Sequence, residues 1–163
     1  MNNMTLKFES PIGQLQLSTT QTELVELNLG MDCKKGPLRK AENTMESTSS
    51  YAQYVKEQIE AYFSKRITEF HINIKASGTQ FQKSVWEIIE SIKFGDTLTY
   101  SDIAGMLDSS PRAVGNACRA NPIPLIVPCH RVIAKSGLGG YAGQRSGRNV
   151  DVKTWLLAHE QAC

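Results

Sequence analysis

The spacing of apolar residues changes once along this chain, from mostly alternation to mostly helical repeats, which limits the fold to two parts of different construction. Leu6 and Phe8 alternate with polar neighbours, Pro11-Ile-Gly13 marks a turn, Leu15 and Leu17 resume the alternation, and Leu24 to Leu29 offers another strand. Tyr51, Val55, Ile59, Tyr62 and Phe63 recur at helical spacing from about Ser49 to Lys65, and Ile67, Phe70, Ile72 and Ile74 suggest one more strand. The segment Met31 to Ser50 reads as an exposed loop. Beyond Ser77-Gly78 the pattern is helical: Phe81, Val85, Ile88, Ile89 and Ile92 form one amphipathic face closed by Gly95, and a second helix is expected over Ser101 to Leu107. A third begins where Ser110 can cap and Pro111 fits the first helical position; Val152, Trp155, Leu156 and His159 define a closing helix. The expected division is an α/β domain over residues 1–77, a small sheet plus helix, and a mainly helical domain over 78–163.

Such a division is affordable for 163 residues of which 40% are hydrophobic. No apolar run approaches the roughly 18 residues of a membrane span, and the N-terminus lacks a secretory signal's apolar segment, so a cytoplasmic protein without membrane partners is expected. Cys33, Cys118, Cys129 and Cys163 form no Cys-x-x-Cys pair and no ligand-spaced cluster with the three histidines, which indicates neither metal nor disulfide framework.

The candidate chemistry lies in Asn121-Pro-Ile-Pro-Leu-Ile-Val-Pro-Cys-His-Arg-Val-Ile133. A thiolate is the reactive form of cysteine, and an unperturbed thiol is only slightly ionised near neutrality, so a base beside Cys129 matters. His130 is that candidate. Neighbours on a regular strand point to opposite faces, so the pair requires a turn or a bridging water. A third group should orient the imidazole, and Glu160 is the candidate. The plain alternative is a buried thiol beside a satisfied histidine.

Charge is also unevenly placed. The net charge is +2, yet Pro111 to Lys153 carries seven Lys or Arg against one acid. A basic surface around the nucleophile points to a polyanionic substrate, with solvated loop arginines as the alternative. Two helices with a short turn between them, the second basic, resemble a helix-turn-helix. Ala113, Gly115 and Ala117 make that second helix smooth, which suits the narrow minor groove; tight packing inside a core would use the same residues.

Seven pieces of the chain, in order, resemble the O6-alkylguanine-DNA alkyltransferase (methylated-DNA-protein-cysteine methyltransferase) family. They are Gly78-Thr-Gln-Phe-Gln with Val85-Trp86, Thr97-Leu-Thr-Tyr100, Arg112-Ala-Val-Gly115, Asn121-Pro122, Pro128-Cys-His-Arg-Val132, Gly140-Tyr-Ala-Gly143, and Lys153 with Trp155-Leu-Leu-Ala-His-Glu160. The resemblance implies a ribonuclease-H-like N-terminal domain and a winged helix-turn-helix C-terminal domain. It implies transfer of an alkyl group from O6-alkylguanine in double-stranded DNA to Cys129, once per chain, with no metal or organic cofactor and as a monomer. Activity on O4-alkylthymine stays open.

By the same resemblance, His130 deprotonates Cys129 through a water, Glu160 orients His130, and Asn121 pins the turn before the nucleophile. Arg112 is the finger that fills the gap left by a flipped nucleotide, because an O6 substituent inside the stack is out of a sulfur's reach. Tyr100 serves both the rotated phosphate and the leaving base. Ala113, Gly115, Arg119 and Arg131 are implied DNA contacts along the minor groove. Val132, Tyr141, Ala142, Gly143 and Lys153 are implied to line the base pocket. The connection before Arg112 is shorter, and the segment from Gly143 to Lys153 longer, than the family's usual pattern. Competing classes are a non-enzymatic alkyltransferase-like lesion binder, a winged-helix regulator and a cysteine hydrolase.

Overall fold

In a computed structural model, which describes residues 3–29, 49–140 and 147–161, the chain divides into two compact units, Met1–Ala76 and Ser77–Cys163. In the first, β1 (Met4–Ser10), β2 (Gly13–Thr19) and β3 (Leu24–Asn28) form an antiparallel sheet in the order β1-β2-β3. Phe8 pairs with Leu15 and Leu6 with Leu17, and both β2 leucines are fully buried. Helix α1 (Ser50–Phe63), capped by the Ser49 side chain, buries Ala52, Val55, Ile59 and Tyr62. Of the loop expected over Met31 to Ser50, residues 31–48 lie outside the described residues, while Ser49 caps α1 and Ser50 begins it.

The strand expected over Ile67 to Ile74 is a correction. Only Ile74 bridges to Leu24, through Leu24 N–H to Asn73 O at 2.8 Å and Lys75 N–H to Leu24 O at 2.8 Å. The backbone of His71 and Asn73 is engaged by side chains of α1 instead of a ladder. The Tyr54 hydroxyl donates to His71 O (2.8 Å), Gln58 Oε1 accepts from His71 N (3.2 Å), and the Tyr51 hydroxyl accepts from Asn73 N (2.8 Å). Backbone groups need partners, and long polar tips on a neighbouring helix serve as well as a strand.

The second unit holds α2 (Gln80–Glu90), β4 (Leu98–Thr99), α3 (Tyr100–Met106), α4 (Pro111–Arg119), a 3₁₀ turn (Cys129–Arg131), β5 (Val132–Ile133) and α5 (Arg148–Gln161). Thr79 and Gln82 close a capping box at the start of α2, Thr99 and Asp102 do so for α3, and Ser110 caps α4 with Pro111 in its first turn. Phe81, expected on the buried face of α2, is exposed; Val85, Trp86 and Ile89 carry that face. Asn149 lies inside α5.

A feature the sequence reading missed ties the site together. Strands β4 and β5 pair in parallel, Leu98 with Val132 and Thr99 with Ile133. The start of α3, and with it Tyr100, is thereby fixed beside the chain that leaves the Cys-His-Arg turn.

Candidate active site and DNA-binding helix

Asn121 organises the approach to the nucleophile. Its Oδ1 accepts from Ile123 N (2.9 Å), and its Nδ2 donates to Val127 O (2.9 Å) and to Cys129 Sγ (3.0 Å). One buried amide thus closes the loop and touches the sulfur. The loop itself passes through a left-handed residue, Leu125 (φ 75°), before Val127 N–H returns to Ile123 O.

Cys129, His130 and Arg131 then form the 3₁₀ turn, one of the two arrangements that the adjacent pair requires. The turn removes the opposite-face constraint on neighbouring residues. Cys129 is 3% exposed and His130 is fully buried. His130 Nε2 lies 2.7 Å from Glu160 Oε1, so the ring proton sits on Nε2 facing the carboxylate; Nδ1 is buried without a hydrogen-bond partner within the described residues. The imidazole therefore keeps an accepting nitrogen free.

Glu160 is also held by Arg131. Arg131 Nη2 donates to Glu160 Oε1 (2.8 Å), Nε donates to Oε2 (3.0 Å), and Nη1 donates to Ile92 O (2.6 Å). Expected among the DNA contacts, Arg131 is instead buried, with Nε and Nη2 turned to Glu160 and Nη1 to Ile92 O, so its fork faces the carboxylate and not solvent. Its guanidinium lies 5.9 Å from the Phe94 ring centroid.

These contacts set the protonation states. Burial alone would raise the Glu160 carboxyl, but hydrogen bonds from His130 and Arg131, with their charges, outweigh it and hold it at about 2. Burial lowers His130 below its usual 6.5 despite the pull of Glu160, with Arg131 and Lys153 acting in the same direction as burial. A hydrogen bond with Cys118, then burial, push the Cys129 thiol well above its ordinary range, against the opposing influence of Asn121 and Lys153. The resting site holds a thiol, a neutral imidazole and an ionised carboxylate. Burial, then Cys118 and Cys129, push the Tyr100 phenol up, so it also stays protonated.

The sign of the pH dependence follows. A buried neutral His130 contributes stability that is complete above about pH 6.5 and is lost as pH falls below it. Glu160, lowered from 4.5 to about 2, contributes roughly 3 kcal/mol that is complete above pH 4.5 and lost on the way to pH 2. Urea unfolding from neutral pH downwards should therefore show a shallow decline below pH 6.5 and a steeper one below 4.5. A stability independent of pH down to 3 would contradict the ionised Glu160.

Lys153, expected at the edge of the site, is fully buried. Its Nζ donates to Val132 O (2.7 Å) and Gly140 O (2.9 Å) and lies 5.7 Å from the Tyr100 ring centroid; burial lowers it to about 8. The Tyr100 hydroxyl donates to the same Gly140 carbonyl (3.3 Å). Gly139 permits this convergence, because with φ at 74° an added Cβ would come 3.2 Å from the Tyr100 ring. Val132 is buried on β5, while Tyr141, Ala142 and Gly143 lie outside the described residues.

Helix α4 presents a second surface. Val114 and Ala117 are buried, and Trp86 Nε1 donates to Ala117 O at 2.9 Å, anchoring one face. Arg112, Asn116 and Arg119 are exposed, and Ala113 and Gly115 are half-buried. Among the described residues a Cβ on Gly115 would meet nothing within 4 Å, so close packing there does not require that glycine. Cys118, at the site end of this helix, lies near enough to the Cys129 thiol to help push it up. No local sequence signal marks that proximity, nor the Arg131–Glu160 pair, because both join residues distant in the chain.

Comparison with known proteins places this geometry. Residues 80–162 match the family described as 6-O-methylguanine DNA methyltransferase, DNA binding domain, and residues 5–76 match its ribonuclease-like domain. The chain belongs to the 6-O-methylguanine DNA methyltransferase family. A methylated-DNA–protein-cysteine methyltransferase from Methanosarcina acetivorans is 38% identical over 159 residues, covering 96% of this chain and 97% of that protein. The constitutive methylated-DNA–protein-cysteine methyltransferase of Bacillus subtilis is 33% identical, covering 94% and 92%. The crystal structure of Mycobacterium tuberculosis OGT in complex with DNA superposes with a TM-score of 0.84 at 34% identity, covering 98% and 93%. The methyltransferase architecture is thus a small N-terminal sheet domain followed by a helical DNA-binding domain. Among the described residues, no three His, Cys, Asp or Glu side chains are grouped to hold a metal, and no helix is long and apolar enough to cross a membrane.

Proposed function

We propose that this methyltransferase repairs O6-alkylguanine in double-stranded DNA by moving the alkyl group irreversibly to Cys129. The observation that carries the reading is the buried arrangement of Asn121 on the Cys129 sulfur and Glu160 on His130 Nε2, which leaves Nδ1 as proton acceptor. The Cys129 proton passes to His130 Nδ1 through a bridging water. The sulfur lone pair attacks the alkyl carbon, the C–O6 bond breaks towards the base, and the protonated Tyr100 hydroxyl donates to the leaving guanine. A thioether has no ready route back, so each chain acts once.

The N-terminal unit is assigned as ribonuclease-H-like and the C-terminal unit as a winged helix-turn-helix, divided at residues 77 and 78. The chain acts as a cytoplasmic monomer. Helix α4 enters the minor groove with Ala113, Gly115 and Arg119 against the backbone, and Arg112 fills the gap left by the flipped base. Val132 and Lys153 line the base pocket.

Intact-mass measurement after mixing with duplex DNA containing O6-methylguanine tests the reading: one added methyl per chain, mapped to Cys129, is expected. An unchanged mass with tight DNA binding would make the protein a lesion binder instead.

Helix α4 allows a test that separates folding from binding. Alanine is favoured over glycine inside a helix by about 1 kcal/mol, and nothing among the described residues opposes a methyl group at position 115. Gly115→Ala is therefore expected to leave stability equal or higher while weakening DNA affinity about tenfold, roughly 1.4 kcal/mol. Urea unfolding and fluorescence anisotropy on duplex DNA measure the two; unchanged affinity would remove Gly115 from the interface.

A further inference from the structure

We propose that Arg131 is a positioning residue, the counter-charge that keeps Glu160 an anion beside an uncharged His130 and so leaves Nδ1 open to the Cys129 proton. The inference rests on Cys129 being the alkyl acceptor. Arg131, Glu160 and His130 are 6%, 2% and 0% exposed, so water compensates little of their charge. Within this enclosure the guanidinium and carboxylate cancel, joined through Nη2 and Nε at 2.8 and 3.0 Å, and the imidazole need carry no charge of its own.

The remaining groups facing the imidazole act in known directions. Glu160, from α5, favours an imidazolium; Lys153, also on α5, and Arg131, from the same 3₁₀ turn, oppose it. Lys153 is committed to the carbonyls of Val132 and Gly140, and Cys129 on the same turn is a neutral thiol at rest. Arg131 is the cation hydrogen-bonded directly to the carboxylate that the imidazole shares. His159, the histidine of α5, stacks on Trp155 with centroids 4.9 Å apart and meets Phe94 edge-on.

Without the guanidinium, Glu160 would be a buried anion facing His130, and uptake of one proton would neutralise it. That proton belongs on Nδ1, giving an imidazolium–carboxylate pair. The step that breaks S–H and forms N–H would then have no acceptor until alkaline solution removed the extra proton. With Arg131 present the accepted proton makes a transient imidazolium, the sulfur bonds to the alkyl carbon, and the electron pair of the C–O6 bond leaves on guanine with a proton.

Arg131→Met is expected to slow methyl transfer at neutral pH about tenfold and to recover rate at alkaline pH, with the rising limb displaced by at least about one pH unit. Nitrogen-15 NMR of the same variant should show His130 as an imidazolium at neutral pH. Arg131→Lys, which keeps the charge, should restore a neutral ring and most of the wild-type profile. An Arg131→Met rate lowered equally at every pH, with His130 still neutral, would reduce Arg131 to a structural brace and overturn the proposal. If Arg131→Met does not fold, the wild type decides: its His130 is expected uncharged with the proton on Nε2 at neutral pH, and an imidazolium signal there sinks the proposal. That NMR readout needs no DNA, so a wild type that transfers no methyl would refute the repair reading separately.

Discussion

Glu160→Gln is expected to lower stability at neutral pH by about 3–5 kcal/mol, the usual cost of removing one partner from a buried ion pair. The carboxylate accepts from His130 Nε2 at 2.7 Å and from Arg131 at 2.8 and 3.0 Å. An amide supplies one accepting oxygen and turns a donor towards donors, leaving the Arg131 charge buried without an anion. The deficit should shrink as pH falls from 4.5 towards 2, because the wild-type carboxylate titrates over that interval and becomes uncharged like the amide. Methyl transfer should fall as well, since the ring loses the anion that stabilises it as it accepts a proton. Urea unfolding of both proteins across that range measures the difference; a deficit below about 1 kcal/mol at neutral pH would mean that the pair does not hold the turn to α5.

Asn121→Ala should be nearly as damaging for a different reason. It strands the Ile123 amide and the Val127 carbonyl and removes the donor from the Cys129 sulfur. Each buried backbone group left unpaired costs about 1–3 kcal/mol, so a loss of about 2–5 kcal/mol is expected. Asn121→Asp separates the two duties, because a carboxylate still accepts from Ile123 N but cannot donate to Val127 O or to sulfur. It should be less destabilised than the alanine variant yet alkylate more slowly at Cys129, since a negative group beside the thiol opposes its ionisation. Peptide mapping after iodoacetamide distinguishes Cys129 from Cys118. Wild-type alkylation kinetics in Asn121→Asp would show that the amide holds the loop without influencing the sulfur.

Capping and periodicity were local enough to read directly. Ser110 and Pro111 start α4 as expected, because the signals that begin a helix lie within its first turn. The segment Ile67 to Ile74 went wrong since apolar alternation does not reveal what its backbone will bond to. The tyrosine and glutamine tips of α1 took the His71 and Asn73 groups that a neighbouring strand would have taken.

By itself, the sequence determined the two-part plan, the helix starts and which side chains of the Pro-Cys-His-Arg run are capable of nucleophilic chemistry, because these depend on residues near one another in the chain. Only the tertiary structure decided that Arg131 turns inward to Glu160 rather than outward to DNA, that Tyr100 is tied beside Val132 through β4 and β5, and that Cys118 lies near the Cys129 thiol. A charge's partner and its burial are set by segments tens of residues away, and the cost of an unpaired buried ion depends on that enclosure, which no local pattern encodes.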